Sequence, residues 1–259
     1  MVVNTVLNEL EYVLLNSEKP SEWFEKLRSE NGLDRYFPEV KALIGIPQNQ
    51  FHHLEGDAWT HTMMVLDEAA KRRDIVRNAL GFMLSALCHD FGKAVSTTIS
   101  DDGTVHSYKH EEEGLPLVQA FLERIGADNE LTRYVLNMTE LHMEPNILAS
   151  ARSKLKKTNK LFDISAEPFD LIQLAVCDGL GKLPQYADTE KFLIERYESF
   201  KEIMARPYVH SQDLIDSGIT DTDLLNETLL YAHKLRLAGL SKDDQLRQSI
   251  AYARTMSGK

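Results

Sequence analysis

The segment Leu87-Cys88-His89-Asp90-Phe91-Gly92-Lys93 sets an imidazole beside a carboxylate at the end of the most apolar stretch of the chain, Ala79 to Cys88. Gly81 and Ser85 apart, that stretch is apolar on every side, the pattern of a central helix covered by several neighbours. A charge at its end has to be met by a partner or by a metal. Further polar groups fall on helical apolar stripes. His61 lies between Ala58 and Val65 at helical spacing, Asp178 follows Leu171, Leu174 and Ala175, and His142 follows Leu131, Val135 and Met138. A lone inward histidine is ordinarily a hydrogen-bonded core residue, and a lone buried aspartate a cap or ion-pair partner. Several on separate core helices, one of them a His-Asp doublet, are poorly explained by packing alone. Helix bundles hold metals in this manner, with His and carboxylates from facing helices.

The elements that must carry these groups read at the helical period almost throughout. Val3, Val6, Leu7, Leu10 and Val13 form one stripe, and Ser21 opens a second helix with Trp23, Phe24 and Leu27 inward, stopped by Asn31-Gly32. Asp57 is placed to N-cap a helix running to about Arg73. Further helices are expected at 115–125, 131–142, 169–182, 187–205, 221–238 and 242–256. Asp102-Gly103 predicts a small hairpin within Val95 to Tyr108, and Gly92 a sharp turn after the doublet. The predicted fold class is all-α, a helical bundle with at most that hairpin. Three segments are expected: a helical extension over 1–45, the ligand-bearing domain over 46–206, and a helical subdomain over 207–259.

The chain has 259 residues, 43% hydrophobic and 27% charged, enough for a substantial core and unlike a disordered or fibrous protein. Its net charge of −11 argues against a general polyanion binder, so a nucleotide or nucleic acid partner has to be met locally or through metal ions. Arg152-Ser153-Lys154-Leu155-Lys156-Lys157 is a local basic cluster, either a solvated face or a phosphate contact. Two cysteines, Cys88 and Cys177, cannot form a disulfide framework and read as packing residues in a reducing cytoplasm. No leader and no apolar run of membrane-spanning length is read from the sequence.

His61, His89-Asp90 and Asp178 match the ordered H…HD…D pattern of HD-domain metal-dependent phosphohydrolases, which the chain resembles. The stretch from Ile46-Pro47-Gln48 through His53, Glu55, Gly56 and Asp57 to His61 is similar to the HD region of bacterial CCA-adding enzymes, the tRNA nucleotidyltransferases. Tyr108-Lys109-His110-Glu111 resembles that family's Y-G-H-E, with Lys109 standing where glycine is usual. Asp178 to Lys182 resembles its D-x-x-G-[RK], and Asp213 to Ile219 its D-L-I-x-x-G-I turn. The family's nucleotidyltransferase head, with a glycine-rich segment and paired carboxylates, finds no counterpart, so CCA addition by this chain alone is not expected.

The resemblance implies an HD-domain bundle in which His61, His89, Asp90 and Asp178 ligate one divalent ion (Mg, Mn, Fe, Ni, Co or Zn). His110 and His142 either complete a second ion bridged by Asp90 or contact the substrate phosphate, giving one or two ions per chain. Asp90 and Lys93 are the candidate catalytic residues, Lys93 stabilising charge on the phosphoryl group or, more simply, favouring a helix end. His53, Glu55 and Lys93 are the candidate substrate-binding residues, with His53 and Glu55 lining the pocket or holding its loop. The function implied is hydrolysis of a phosphomonoester or 2′,3′-cyclic phosphodiester, with a nucleotide, an RNA end or tRNA as partner. Two readings compete: a phosphatase of a small non-nucleotide metabolite, and a non-catalytic subunit that binds tRNA or a separate nucleotidyltransferase.

Overall fold

The computed structural model describes residues 2–49, 53–183 and 189–257, with residues 2–7 and 257 described by their backbone alone. The side chains of Val3, Val6 and Leu7, His52, and residues 187 and 188 of the helix expected over 187–205 lie outside the described residues. The described elements begin with α1 (Val2–Asn16), α2 (Pro20–Ser29), α3 (Leu33–Tyr36), α4 (Pro38–Lys41), α5 (Ala58–Ala70), α6 (Ala79–Cys88) and α7 (Lys93–Ser96). A hairpin of β1 (Thr97–Ile99) and β2 (Val105–Ser107) follows, then α8 (His110–Glu113), α9 (Leu115–Ile125), α10 (Asn129–Leu141) and α11 (Met143–Ser150). The chain continues with α12 (Leu155–Ile164), α13 (Pro168–Leu180), α14 (Thr189–Ala205), α15 (Ser211–Asp216), α16 (Thr222–Leu237) and α17 (Lys242–Ser257). The fold is all-α with one small antiparallel hairpin, in which Thr98 pairs with His106. Among the described residues no helix is long and apolar enough to cross a membrane.

Two compact units divide the chain: Met1–Ser150 with Ser165–Leu193, and Ala151–Ile164 with Ile194–Lys259. In the first, α6 is the central helix the sequence predicts, with every residue from Gly81 to Cys88 buried. Helices α1, α5, α10 and α13 pack against it. Its start is fixed by Asn78, whose Oδ1 accepts from Gly81 N at 2.9 Å. Behind that cap stands Asp170, fully buried, whose oxygens accept from Arg77 N, Asn78 N and Tyr134 Oη at 3.0, 3.1 and 2.7 Å. The second unit encloses its own core of Val209, Leu214, Ile219, Ala232 and Ala253. Two of its histidines have structural partners: His210 N donates to Asp213 Oδ2, and His233 pairs with Asp163 at 2.8 Å. Lys154, Lys156 and Lys157 of the basic cluster are exposed, while Ser153 is buried.

Several local expectations hold and others are corrected. Asp57 does cap α5, its Oδ1 accepting from Thr60 N at 2.9 Å, and Oδ2 also accepts from Gly45 N at 2.6 Å. Ser21 does not open α2. Pro20 takes the first helical position, where a missing N–H costs nothing, and Ser21 donates from N and Oγ to Asp67 of α5. Helix α5 stops at Ala70 rather than near Arg73, because Arg73 turns to the carbonyls of Leu14 and Ser17 at the end of α1. The expected hairpin lies within Val95 to Tyr108, over Thr97–Ile99 and Val105–Ser107, with Val95 and Ser96 belonging to α7. Helices α11 and α12 were not expected. Gly92 makes no special turn, having φ −64° and ψ −21°; it is required because His110 O would lie 1.9 Å from an added Cβ.

Lys109 is a residue in the left-handed region, φ 57° and ψ 26°, immediately before α8. A side chain there is strained by roughly 1 kcal/mol, whereas glycine adopts the angles freely. Lys109→Gly is therefore expected to raise stability by up to about 1 kcal/mol, losing only the exposed Glu112 pair. Denaturant titration checks this, and a loss of stability would show that the strain is absent.

Candidate metal centre

Five elements of the first unit deliver the predicted ligand groups. His61 sits one turn into α5, His89 caps the end of α6 with Asp90 next, His110 starts α8, His142 caps α10, and Asp178 lies in the last turn of α13. All six are buried. Their convergence is the one that helical periodicity predicts for His61, His142 and Asp178.

Backbone carbonyls fix how each ring faces. Nδ1 of His61 lies 3.2 Å from Gly181 O, that of His89 2.9 Å from Ala86 O, that of His110 2.9 Å from Ser107 O, and that of His142 2.7 Å from Thr139 O. A carbonyl only accepts, so each Nδ1 carries the proton and each neutral ring turns an Nε2 lone pair inward. These lone pairs meet in twos. His61 Nε2 is 3.3 Å from His89 Nε2, and His110 Nε2 is 3.3 Å from His142 Nε2. Two lone pairs at that separation repel unless a proton or a cation lies between them.

Asp90 stands between the pairs. Its Oδ2 is 3.2 Å from His89 Nε2 and 3.5 Å from His61 Nε2; its Oδ1 is 3.2 Å from His110 Nε2 and 4.0 Å from His142 Nε2. Asp178 Oδ1 joins the first pair at 3.1 Å from His61 Nε2. Asp90 Oδ2 is buried without a hydrogen bond, and Lys93 Nζ pairs with it at 2.7 Å. A carboxylate oxygen with no hydrogen bond, facing imidazole lone pairs, is the donor set of a cation site, and the groups His61, His89, Asp90 and Asp90, His110, His142 could each hold a metal ion.

The electrostatics agree. Burial raises the Asp90 and Asp178 carboxyls, but His89 and Lys93 outweigh it for Asp90, and Lys182 and His61 for Asp178, so both stay well below the usual carboxylate range. Burial lowers His61 and His110, yet Asp178 with Glu55, and Asp90, leave them above 6.5. His142 is pushed down to about 3 by burial, His89 and His110.

The remaining predicted residues flank this centre. A cavity of about 170 Å³ opens over it, lined among others by Gln48, His53, Lys93, Ser107, Met143 and Lys182. Lys93 is buried and donates to Gln48 Oε1 at 2.6 Å. His53 is on the cavity wall, held down to about 4 by burial, Lys93 and His61. Glu55 lies behind it. Its Oε1 accepts from His53 Nδ1 at 2.6 Å and is 3.3 Å from His61 Nδ1, and its Oε2 accepts from Leu183 N at 2.9 Å. Burial raises Glu55, but His61 and Leu183 bring it down to about 2. Cys88 and Cys177 are buried free thiols, both pushed up by burial.

Gln48 and Lys182 were given no role from the sequence. Gln48 adjoins the His53-Glu55 motif, and Lys182 ends the Asp178 motif, so proximity to a motif was their only signal. Asn146, which donates to Ala175 O at 2.8 Å and lies 3.5 Å from Asp178 Oδ2, had none.

No family model matches the chain. Among curated proteins it is similar to the multifunctional CCA protein of Alkalilimnicola ehrlichii, 34% identical over 218 residues, which are 82% of this chain and 51% of that protein. It is 36% identical over 178 residues to the multifunctional CCA protein of Nitrosospira multiformis, covering 67% of this chain and 41% of the relative. That of Actinobacillus pleuropneumoniae serotype 5b is 30% identical over 172 residues, 64% of this chain and 41% of the relative. The chain thus spans about half the length, or less, of the curated relatives it matches, and over that stretch it is related to multifunctional CCA proteins.

Proposed function

We propose that the chain is a metal-dependent phosphohydrolase of the HD type, cleaving phosphomonoester or 2′,3′-cyclic phosphodiester bonds of nucleotides or RNA ends. The observation that carries this reading is the placement of Asp90, one oxygen toward each of two histidine pairs whose lone pairs converge. His61, His89, Asp90 and Asp178 would hold one ion, and Asp90, His110 and His142 a second. When bound, divalent ions supply a Lewis acid for a phosphoryl oxygen and make water acidic enough to deprotonate near neutral pH.

The chain's own residues do the rest. Lys93 brings its Nζ to the cavity wall, where it balances charge that grows on the phosphoryl oxygens. His53 donates from Nδ1 to Glu55, so its Nε2 is an acceptor suited to a substrate hydroxyl such as that of a ribose. Glu55 holds His53 and His61 in register. The related CCA proteins make a tRNA end a reasonable partner, and the experiment includes it. The protein, loaded in turn with Mn²⁺, Ni²⁺ and Mg²⁺, is assayed on p-nitrophenyl phosphate and 2′,3′-cyclic AMP. Hydrolysis abolished by chelator supports the reading, and tRNA binding with no turnover of either ester overturns it in favour of a binding subunit.

Lys93→Ala is expected to lower kcat and kcat/KM together by roughly 10²-fold, with metal content retained. Unchanged kinetics would return Lys93 to a helix-end role.

Metal binding should depend on pH with a definite sign. The neighbouring carboxylates raise the His61 and His110 imidazoles above their ordinary value in the metal-free protein, so a proton competes with an ion for each pair. An ion has to displace it, and affinity therefore falls as pH is lowered, by up to roughly tenfold per unit for each proton displaced. Calorimetry in buffers of different ionisation enthalpy measures the release. Affinity that does not fall as pH is lowered would contradict that competition.

A further inference from the structure

Lys182 is built into the frame of the metal centre. Gly181 N donates to Cys177 O at 2.8 Å, and Gly181 O receives the Nδ1 proton of His61. Gly181 also fits only without a side chain, since an added Cβ would come within 2.5 Å of Val65 Cγ2 and 2.9 Å of Val65 N. On the other side, Leu183 N donates to Glu55 Oε2 at 2.9 Å and Leu183 O accepts from Leu54 N at 2.9 Å. The backbone on both flanks of Lys182 is therefore tied to residues that orient His61. Its side chain is only 16% exposed, and it lines the cavity with its Nζ 3.0 Å from Asp178 Oδ2.

The charges around the cavity do not balance once cations enter. Asp90, Asp178 and Glu55 supply three negative charges, and Lys93 and Lys182 two positive ones. Without metal the lysines serve as counter-ions to the carboxylates. A divalent ion held by Asp178 takes over that role, and an ammonium beside it is then unfavourable until an anion arrives. An ammonium has three N–H donors, and Asp178 Oδ2 occupies one. Lys93 is more committed, having Gln48 Oε1 as well as Asp90 within reach.

We infer that Lys182 is a second anion-binding residue of the site, holding a non-bridging oxygen of the substrate phosphate from the Asp178 side while Lys93 does so from the Asp90 side. This rests on the phosphohydrolase reading, and the competing role is a counter-ion that only steadies Asp178. Inorganic phosphate is the probe, titrated by calorimetry into protein saturated with Mn²⁺. Lys182→Met, which keeps the aliphatic stem, should weaken phosphate binding roughly tenfold or more at unchanged metal content, and Lys182→Arg should restore most of it. KM for p-nitrophenyl phosphate should rise in step. Phosphate affinity unchanged in Lys182→Met overturns the inference. So does loss of Mn²⁺ with unaltered phosphate affinity once the metal is restored to saturation, because that is the signature of a counter-ion. A wild-type protein that binds phosphate through Lys182 but turns over no ester would sink the phosphohydrolase reading and leave the anion site standing.

Discussion

Asp90→Ala is expected to leave a folded chain that retains neither ion at stoichiometric metal and has lost at least roughly 10³-fold in hydrolysis. Residues that merely support a metal ligand are worth ten- to a hundredfold, and Asp90 is asked to do more. It is 1% exposed, and its two oxygens face different histidine pairs, so one truncation strips an anionic donor from both sides of the centre. What remains on the second side is two neutral imidazoles, a weak set for a hard divalent ion. The fold should survive because the carboxylate carries little of it. Its Oδ2 makes no hydrogen bond, and breaking its ion pair with Lys93 costs less than about 3–5 kcal/mol because Gln48 still receives that ammonium. Asp90→Asn keeps the shape and should behave alike, which separates charge from packing. Metal analysis, circular dichroism and ester hydrolysis on the same samples make the check. Full metal loading with retained turnover in either variant would remove Asp90 from the centre.

The number of ions follows from a companion experiment. If His110 and His142 contact a substrate phosphate instead of an ion, they must donate from Nε2. With each Nδ1 proton given to Ser107 O and Thr139 O, that needs a second proton on a ring, which burial opposes at His142. The His110→Ala/His142→Ala protein is therefore expected to bind one Mn²⁺ where the parent binds two. A parent fixed at one ion under saturating Mn²⁺ would favour the direct phosphate contact.

How much of this was legible in the sequence depends on the range of each interaction. The ligand groups were legible because a core helix must be apolar, so an imidazole or carboxylate on its inward stripe stands out, as His61, His142 and Asp178 do. Asp57 and Asp102-Gly103 were legible because caps and hairpin turns are decided within a few residues. Asp170 was not, since what makes it a buried hub is Tyr134 and the Arg77-Asn78 backbone, far off in the chain. Ser21 was misread for the same reason: its partner is Asp67, and only the folded structure brings the two together. Helix α11 carries Pro145 in its first turn and shows no clean apolar stripe, whereas α12 does place Leu155, Thr158, Leu161 and Phe162 on one face but starts inside a basic cluster that hides it. The His110 and Lys182 positions came from motif resemblance, and only the tertiary structure supplies the reason for them.

Gly92→Ala is the second change with a large expected effect, and it reaches the same centre through the backbone. An added Cβ would sit 1.9 Å from His110 O and 2.7 Å from both His110 C and Gly114 N. These are main-chain atoms, so no rotamer change relieves the overlap, and the start of α8 has to retreat. His110 cannot retreat without loss, because its Nε2 is 3.2 Å from Asp90 Oδ1 and 3.3 Å from His142 Nε2. The variant should lose about 3 kcal/mol or more, lowering Tm by roughly 6 °C or more when measured without metal, where binding does not mask the change. Its second ion should weaken far more than its first, since His61, His89 and Asp178 lie on elements the displacement does not touch. Gly114→Ala meets Gly92 N at 2.7 Å from the opposite side and should reproduce both effects. Scanning calorimetry and Mn²⁺ titration decide it: an unchanged Tm with two ions still bound would mean that the close approach of these two glycines does not set the position of His110.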